Sequence, residues 1–278
     1  MKTRRRILPS GWYPASAREC ARDIEEFLQG FEVLPGNWIG GIAPHAGWYF
    51  SGRAAARLLR TLSSCGPVDR VIVYGGHLPG DESPIVYTED SWETPFGHMP
   101  MDLDLSEELI GAGEAVAAPG GFADNTVEVL LPFVRHFYPE ALLVAVHSPS
   151  SERAVKLGLA VQAIVARQNL RAAYVGSADL THYGPNYGFT SKGSGSGAVQ
   201  WVKEENDRSL IDKALAMDAA GVIKDARTRK NTCSAGPIAS VIVSAGRHGV
   251  ESGTLLEYYT SYDIAPNSSF VGYAAILF

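Results

Sequence analysis

Residues 68–77 read V-D-R-V-I-V-Y-G-G-H, and this stretch decides the fold. Val71, Ile72 and Val73 form an unbroken apolar run, which is typical of a strand that is covered on both faces. The apolar runs at 142–146 and 172–176 have the same character, and helical patterns occupy 51–62 and 151–168. Strands that alternate with helices predict an α/β fold with a largely parallel central sheet.

The two ends of the chain add to this picture. Ser16 and Glu19 form an S-x-x-E capping box, which predicts a helix that begins there and ends near Gly30. Residues 38–43 are strand-like. Residues 255–260 and 270–278 are also strand-like, with no helical pattern between them, so we expect an antiparallel part of the sheet. No Pro/Gly/Ser-rich linker separates two halves, and we expect one domain over residues 1–278.

The composition excludes several classes of partner. The 278 residues include 24 Lys and Arg against 30 Asp and Glu, so nothing favours nucleic acid or an anionic membrane surface. No apolar stretch reaches the ~20 residues of a membrane span, and the basic run at 2–6 lacks the apolar segment of a signal peptide. The three cysteines are far apart, which fits a reducing compartment. We therefore expect a cytoplasmic protein.

Four of the seven histidines follow a predicted strand: His45, His77, His147 and His182. Ligands bind beyond the carboxyl ends of strands in open α/β sheets, and several imidazoles at one rim suit Zn, Cu, Fe or Ni. A single loop histidine is more often a surface or hydrogen-bonding residue. Neighbouring glycines, which permit close approach of the backbone to a ligand, favour His45 and His77, whereas His147 lacks them.

Three other polar residues are candidates for a role in chemistry. Asp179 precedes His182 in the same turn, where it would orient an imidazole or act as a base, or would simply cap the turn. Cys233 opens an apparent helix, where a thiol is more reactive, although most single cysteines are inert. Glu128 lies on a predicted helix over residues 125–133, where a lone glutamate is more often solvated than catalytic. No phosphate-binding loop and no GxSxG elbow occur in the chain.

A set of motifs along nearly the whole chain resembles the Memo family. The motifs are G-W-Y-P at 11–14, A-P-H-A-G-W at 43–48, G-G-H at 75–77, D-N-T-V-E-V-L-L-P-F at 124–133, S-A-D-L-T-H-Y-G at 177–184 and N-T-C-S-A-G-P-I at 231–238. The resemblance implies a three-layer αβα domain similar to the class III extradiol dioxygenases, which use non-haem Fe(II).

The resemblance also implies the roles of individual residues. His45, His77 and His182 match the metal-site histidines of the family, and Asp179 and Cys233 match residues that line the same pocket. Glu128 matches a family glutamate, and His147 has no counterpart. The chain reads Ser-Ala-Gly after Cys233, where relatives usually have Gly-Arg.

The metal is expected to be divalent, with iron or copper favoured and zinc as the alternative. Iron(II) oxygenases favour two histidines and a carboxylate, so a site of three histidines shifts the balance toward copper or zinc. We expect a metal-dependent oxidoreductase, similar to a dioxygenase, that acts on a small molecule. The alternatives are a non-catalytic module whose pocket binds a peptide, a partner or a metal, and, with less support, a metal-dependent hydrolase. The resemblance further implies a radical-SAM-type partner enzyme.

Overall fold

The computed structural model describes residues 2–278. Its α-helices are α1 (Ala17–Phe27), α2 (Trp48–Ser63), α3 (Leu103–Gly111), α4 (Asn125–Glu128), α5 (Leu131–Phe137), α6 (Glu152–Arg167), α7 (Ser196–Trp201), α8 (Asp207–Leu215), α9 (Ala219–Arg229), α10 (Ala235–Gly246) and α11 (Ser261–Ile264). Its strands are β1 (Thr3–Arg4), β2 (Gly40–Ala43), β3 (Arg70–Gly75), β4 (Ile85–Val86), β5 (Ser91–Thr94), β6 (Gly97–Pro100), β7 (Val116–Ala117), β8 (Leu142–His147), β9 (Ala172–Ser177), β10 (His182–Tyr183), β11 (Thr254–Thr260) and β12 (Phe270–Leu277).

Nine strands form the main sheet, in the order β10-β12-β2-β9-β3-β8-β4-β7, with β11 paired to β12. The centre of the sheet is parallel, since β9 pairs in parallel with both β2 and β3, and β3 with β8. The strands β10, β11 and β2 are antiparallel to β12, and β4 is antiparallel to β8. The expected α/β sheet with an antiparallel part is therefore confirmed.

Helices cover both faces of this sheet, and successive strand residues face opposite layers. In β3, the fully buried Val71 and Val73 pack in one apolar cluster with residues of α1, α2 and α5. Ile72 and Tyr74 pack in the other cluster, with residues of α6, α9 and α10. Continuous apolar runs are needed because both faces of these strands are removed from water. The three-layer αβα arrangement is thus confirmed.

Several local predictions are also confirmed, and one is wrong. The Ser16 side chain accepts a hydrogen bond from the Glu19 N–H at 3.3 Å and caps α1. Ser151 likewise caps α6. The segment between the last two strands does contain a helix, the four-residue α11. The Thr260 side chain and Asp263 close a capping box around it, so hydrogen bonds at the cap replace the long apolar face that the sequence lacks there.

The parallel centre of the sheet positions the loops that carry chemistry. The strands β2, β3, β8 and β9 run in the same direction, so the loops that follow them lie at one edge. A separate small sheet, β1-β5-β6, fixes the N-terminal residues. None of the helices in residues 2–278 has the length and apolarity that a bilayer crossing requires.

Candidate metal centre

His45 lies in the loop after β2 and is almost completely buried, with 2% of its surface exposed. Its backbone N–H donates to Asp179 Oδ1 at 2.7 Å, which fixes the loop against the turn after β9. The His45 Nδ1 lies 3.0 Å from the Ser177 hydroxyl, and that hydroxyl donates its own hydrogen to the Thr126 carbonyl. The Ser177 oxygen must therefore accept from His45 Nδ1–H. In neutral His45, the lone pair that binds metals is on Nε2.

His77 follows β3 directly after Gly75 and Gly76. Gly76 has φ +102°, and a Cβ there would lie 2.8 Å from His147 Cβ, so the sharp turn that places His77 requires glycine. The His77 Nδ1 lies 3.0 Å from Asp124 Oδ2. An ionised carboxylate only accepts hydrogen bonds, so Nδ1 carries the proton and Nε2 is the atom left for a metal. The rings of His45 and His77 are perpendicular, with centroids 5.1 Å apart.

Cys233 lies in the loop that precedes α10, and its Sγ is 3.2 Å from His45 Nε2. The main chain of Asp179 holds this loop in place. Its carbonyl accepts hydrogen bonds from the Cys233 N–H at 3.3 Å and from the Thr232 hydroxyl at 2.6 Å. One ligand atom from each of His45, His77 and Cys233 lies within 4.8 Å of the other two, and no other such group of three occurs in residues 2–278.

The pKa values in this cluster are shifted toward a thiolate on Cys233 and a protonated imidazole on His77. Burial alone would raise the pKa of the Cys233 thiol, but the neighbouring His45 and His77 rings bring it well below its ordinary value. Burial opposes charge on His77 as well, yet hydrogen bonds with Asp124 and Cys233 raise its pKa to about 10. The thiolate is thus balanced by protons on imidazoles, and a metal ion would replace these protons.

The donor set fits a metal ion. Thiolate and imidazole together suit copper, zinc or iron, and three protein ligands leave further positions open. The Nδ1 atoms of both histidines are engaged by Ser177 and Asp124, so both rings are held by partners behind them. His45, His77 and Cys233 would therefore hold the metal.

The centre opens into a pocket of about 410 Å³, which we call the histidine pocket. Residues from distant parts of the chain line it, among them Trp12, His45, Phe50, His77, Asn125, Asp179, His182, Tyr187 and Tyr273. A pocket of this size accommodates a small molecule beside the candidate ligands.

Comparison with known proteins identifies the family. The family model described as Memo-like protein matches residues 4–277. The chain belongs to the Memo family. A MEMO1 family protein of Methanothermobacter thermautotrophicus is 31% identical over 242 residues, which are 84% of this chain and 82% of the relative. A MEMO1 family protein of Methanococcoides burtonii is 28% identical over 270 residues, with 96% of each chain covered.

The fold is also found in a protein of distant sequence. The crystal structure of an uncharacterized protein from Escherichia coli K12 superimposes with a TM-score of 0.53 at 10% identity. The match covers 80% of this chain and 91% of that one, and at this identity it shows the fold alone.

The structure brings together two of the three histidines that the Memo resemblance implies as ligands. His182 lines the histidine pocket, but it is outside the group of three ligand atoms, where Cys233 stands instead. His182 lies on β10, which pairs with β12, whereas a bridge between Leu180 and Thr232 brings the Cys233 loop against the turn after β9. Cys233 itself precedes α10 by two residues, so the thiol does not open the helix.

Asp179 is buried beside His45, as a residue of the pocket wall. Its Oδ2 is 4.0 Å from His45 Nε2, and burial raises the pKa of its carboxyl group. Asp124 was not singled out from the sequence. Its signal was the D-N-T run, which predicts a helix cap, and Asp124 does cap α4 by accepting from the Thr126 N–H at 2.8 Å. Its contact with His77, 47 residues away, has no local signal.

Glu128 does not line the histidine pocket in this Memo-family protein, and it is not solvated either, because only 1% of it is exposed. Its carboxylate accepts hydrogen bonds from the N–H groups of Ile7 and Leu8 and from the Tyr13 hydroxyl, at 2.9–3.0 Å. A buried carboxylate must be compensated, and the N-terminal segment supplies the donors. Glu128 therefore anchors the segment that carries Trp12 to the wall of the pocket.

His147 ends β8 in a fully buried position and lies outside the histidine pocket. Its Nε2 is 3.1 Å from the Tyr87 hydroxyl, and its Nδ1 has no hydrogen-bond partner among residues 2–278. Burial lowers the pKa of His147 to about 4, so the ring is neutral at pH 7. These contacts agree with its exclusion from the ligand set.

Proposed function

We propose that this Memo-family protein is a metal-dependent oxidoreductase that acts on a small molecule in the histidine pocket. The observation that carries the proposal is the convergence of ligand atoms from His45, His77 and Cys233 beside that pocket. We propose iron or copper as the metal, with zinc as the alternative, because two imidazoles and one thiolate suit all three elements. When bound, a redox-active metal would supply one-electron chemistry next to the substrate.

Two further residues of the pocket can handle protons. The His182 Nδ1 lies 3.2 Å from the Leu180 carbonyl, which only accepts, so neutral His182 carries its proton on Nδ1. Its Nε2 is then a base for an acidic hydrogen of the substrate. Asp179 lies on the same wall, with its Oδ2 4.0 Å from His45 Nε2, and burial raises the pKa of its carboxyl group. We therefore propose His182 as the base, with Asp179 as a second ionisable group beside the centre.

Metal analysis of matched cysteine variants tests the centre. The protein is purified without chelators, loaded anaerobically with Fe(II) or Cu(I), desalted and measured by elemental analysis. We expect one metal per chain in the wild type and in Cys65→Ser, since Cys65 is an exposed thiol outside the candidate centre. Cys233→Ser should lose most of the metal. Equal metal content in the two variants would remove Cys233 from the centre.

Oxygen uptake tests the reaction. The loaded wild-type protein is given catechol-type substrates, and consumption of O₂ is followed with an electrode. Uptake that depends on both metal and substrate, and that falls in His182→Gln at unchanged metal content, supports the oxidoreductase. Metal binding with no uptake for any substrate would instead favour the alternative, a module that binds a ligand or a metal without turnover.

A further inference from the structure

A second cavity, of about 280 Å³, reaches the candidate centre from the side of the cysteine, and we call it the thiol-side cavity. Its lining includes His182, Tyr187, Phe189, Lys230, Thr232 and Cys233. His182 and Tyr187 also line the histidine pocket, and their rings meet edge to face with centroids 4.9 Å apart. This ring pair therefore stands between two compartments, one lined by the two candidate histidine ligands and the other by the thiol.

The lining of the thiol-side cavity contains one lysine, Lys230, and no carboxylate. The Cys233 thiolate in the same lining already has its counter-charge in the His45 and His77 rings of the candidate centre. Within residues 2–278, the Lys230 side chain has neither an ion-pair nor a hydrogen-bond partner. The neighbouring Arg229, in contrast, pairs with Asp225 at 3.3 Å. In a chain with a net charge of −6, an unpaired ammonium group at a cavity is a counter-ion available to an anion.

The lining also indicates what kind of anion fits. A single lysine is a compact point charge, which balances a monoanion such as a carboxylate better than a doubly charged phosphate. The rings of Tyr187 and Phe189 provide apolar walls, and Tyr187 is 46% exposed, so a ligand would cover it. The volume of the cavity suits a group about the size of one aromatic ring.

We propose that the thiol-side cavity binds the carboxylate of a small aromatic or other apolar acid, with Lys230 as the counter-ion. The acid's apolar body lies against Tyr187 and Phe189, next to Cys233. That such an acid is the substrate of the centre rests on the proposed function. Binding of the acid in the thiol-side cavity, in contrast, needs no metal.

Alkylation of Cys233 in the metal-free protein tests the charge at this cavity. Iodoacetate and iodoacetamide have the same alkylating carbon, but only iodoacetate is an anion, so the ratio of their rates cancels changes in thiol reactivity. The measurement uses a Cys65→Ser background, because Cys65 is exposed, and mass spectrometry of the peptide that contains Cys233. Lys230→Gln should lower the iodoacetate-to-iodoacetamide ratio about fivefold, the effect of one unit charge at about 4 Å in water.

A matched control lies on the same helix. Lys224 is exposed, has no ion pair and lines a different surface depression, so Lys224→Gln should leave the ratio unchanged. Thermal unfolding of both variants checks that they are folded. An unchanged ratio in folded Lys230→Gln, or an equal fall in both variants, would overturn the proposal.

Protection by a ligand tests binding directly. Benzoate at millimolar concentration should slow alkylation of Cys233 by the neutral iodoacetamide in the wild type and not in Lys230→Gln, whereas benzamide should protect neither. Protection by benzamide equal to that by benzoate would overturn the proposal. These assays use metal-free protein, so they are independent of the elemental analysis. Absence of bound metal in the elemental analysis would contradict the proposed function but not the binding of the acid. Failure of the alkylation and protection assays would contradict the binding of the acid but not the metal centre.

Discussion

Replacement of Asp124 by asparagine should weaken metal binding without touching a ligand. The two carboxylate oxygens of Asp124 accept different hydrogen bonds. Oδ1 accepts from the Thr126 N–H at 2.8 Å and caps α4, and Oδ2 accepts from His77 Nδ1–H at 3.0 Å. In Asp124→Asn, the amide oxygen keeps the cap, and the amide NH₂ takes the place of Oδ2. An NH₂ group donates a hydrogen bond, so it favours the His77 tautomer in which Nδ1 accepts and Nε2 carries the proton. A protonated Nε2 has no lone pair for the metal, so metal binding is weakened.

The size of the effect follows from this exchange of donor and acceptor. The carboxylate also stabilises positive charge on His77, and His77 in turn holds the pKa of Asp124 below its ordinary range, although burial opposes this. Loss of such a partner behind a metal-bound histidine costs about 10–100-fold in affinity, or about 1.4–2.7 kcal/mol. The helix cap contributes little to the difference, since asparagine caps helices as well as aspartate does.

Competition with a chromophoric chelator measures the metal affinity of the wild type and the variant at the same pH. Asp218→Asn is the matched control, because Asp218 caps α9 through the Gly221 N–H at 2.8 Å and is outside the candidate centre. We expect metal affinity to fall by about 10–100-fold in Asp124→Asn and to stay unchanged in Asp218→Asn. Unchanged affinity in a folded Asp124→Asn would refute the assignment of His77 Nε2 as the ligand atom.

Two further predictions concern buried groups outside the ligand set. Burial lowers the pKa of His147 from 6.5 to about 4, so the unfolded chain binds this proton first as the pH falls, and the stability present above pH 6.5 is lost toward pH 4. The loss is about 3 kcal/mol at 1.36 kcal/mol per unit, so His147→Gln should flatten the pH dependence of the free energy of unfolding in this window, and an identical slope would contradict the assignment. Glu128→Gln should destabilise the protein by about 1–3 kcal/mol and speed amide hydrogen exchange at residues 7–8, because one buried acceptor for them is weakened. The metal affinity of Glu128→Gln should not change. A loss of metal affinity without faster amide hydrogen exchange would indicate that Glu128 belongs to the metal centre.

The centre of the fold was predictable from the sequence because its strands are covered on both faces. In β3, β8 and β9, burial of both faces leaves a continuous apolar run through the middle of each strand. The strands β4 and β7 have two residues each, too few for a pattern to register. The small sheet β1-β5-β6 depends on contacts between residues about 90 positions apart, such as Thr3 with Ser91. Pairing at that distance is a property of the tertiary structure.

The candidate site was predictable in part for the same reason. His45 and His77 directly follow strands of the parallel centre, so the position of the strand fixes the position of the imidazole. Cys233 was singled out as a thiol that opens a helix, whereas it precedes α10 by two residues. Its place beside His45 depends on the Asp179 carbonyl, 54 residues away. Glu128 was expected to be solvated because a lone glutamate on an amphipathic helix usually faces water. Its donors lie about 120 positions earlier in the chain, so no local pattern indicates that it is buried.

X-ray absorption spectroscopy at the zinc edge tests the central claim most directly. The protein is loaded with one equivalent of Zn²⁺, which reports the ligand set whatever the native metal is. If His45, His77 and Cys233 bind the ion, the spectrum should show one sulfur at about 2.3 Å and two imidazole nitrogens at about 2.0–2.1 Å, with the sulfur absent in Cys233→Ser. A wild-type spectrum with three imidazoles and no sulfur would contradict the account and would make His182 the third ligand.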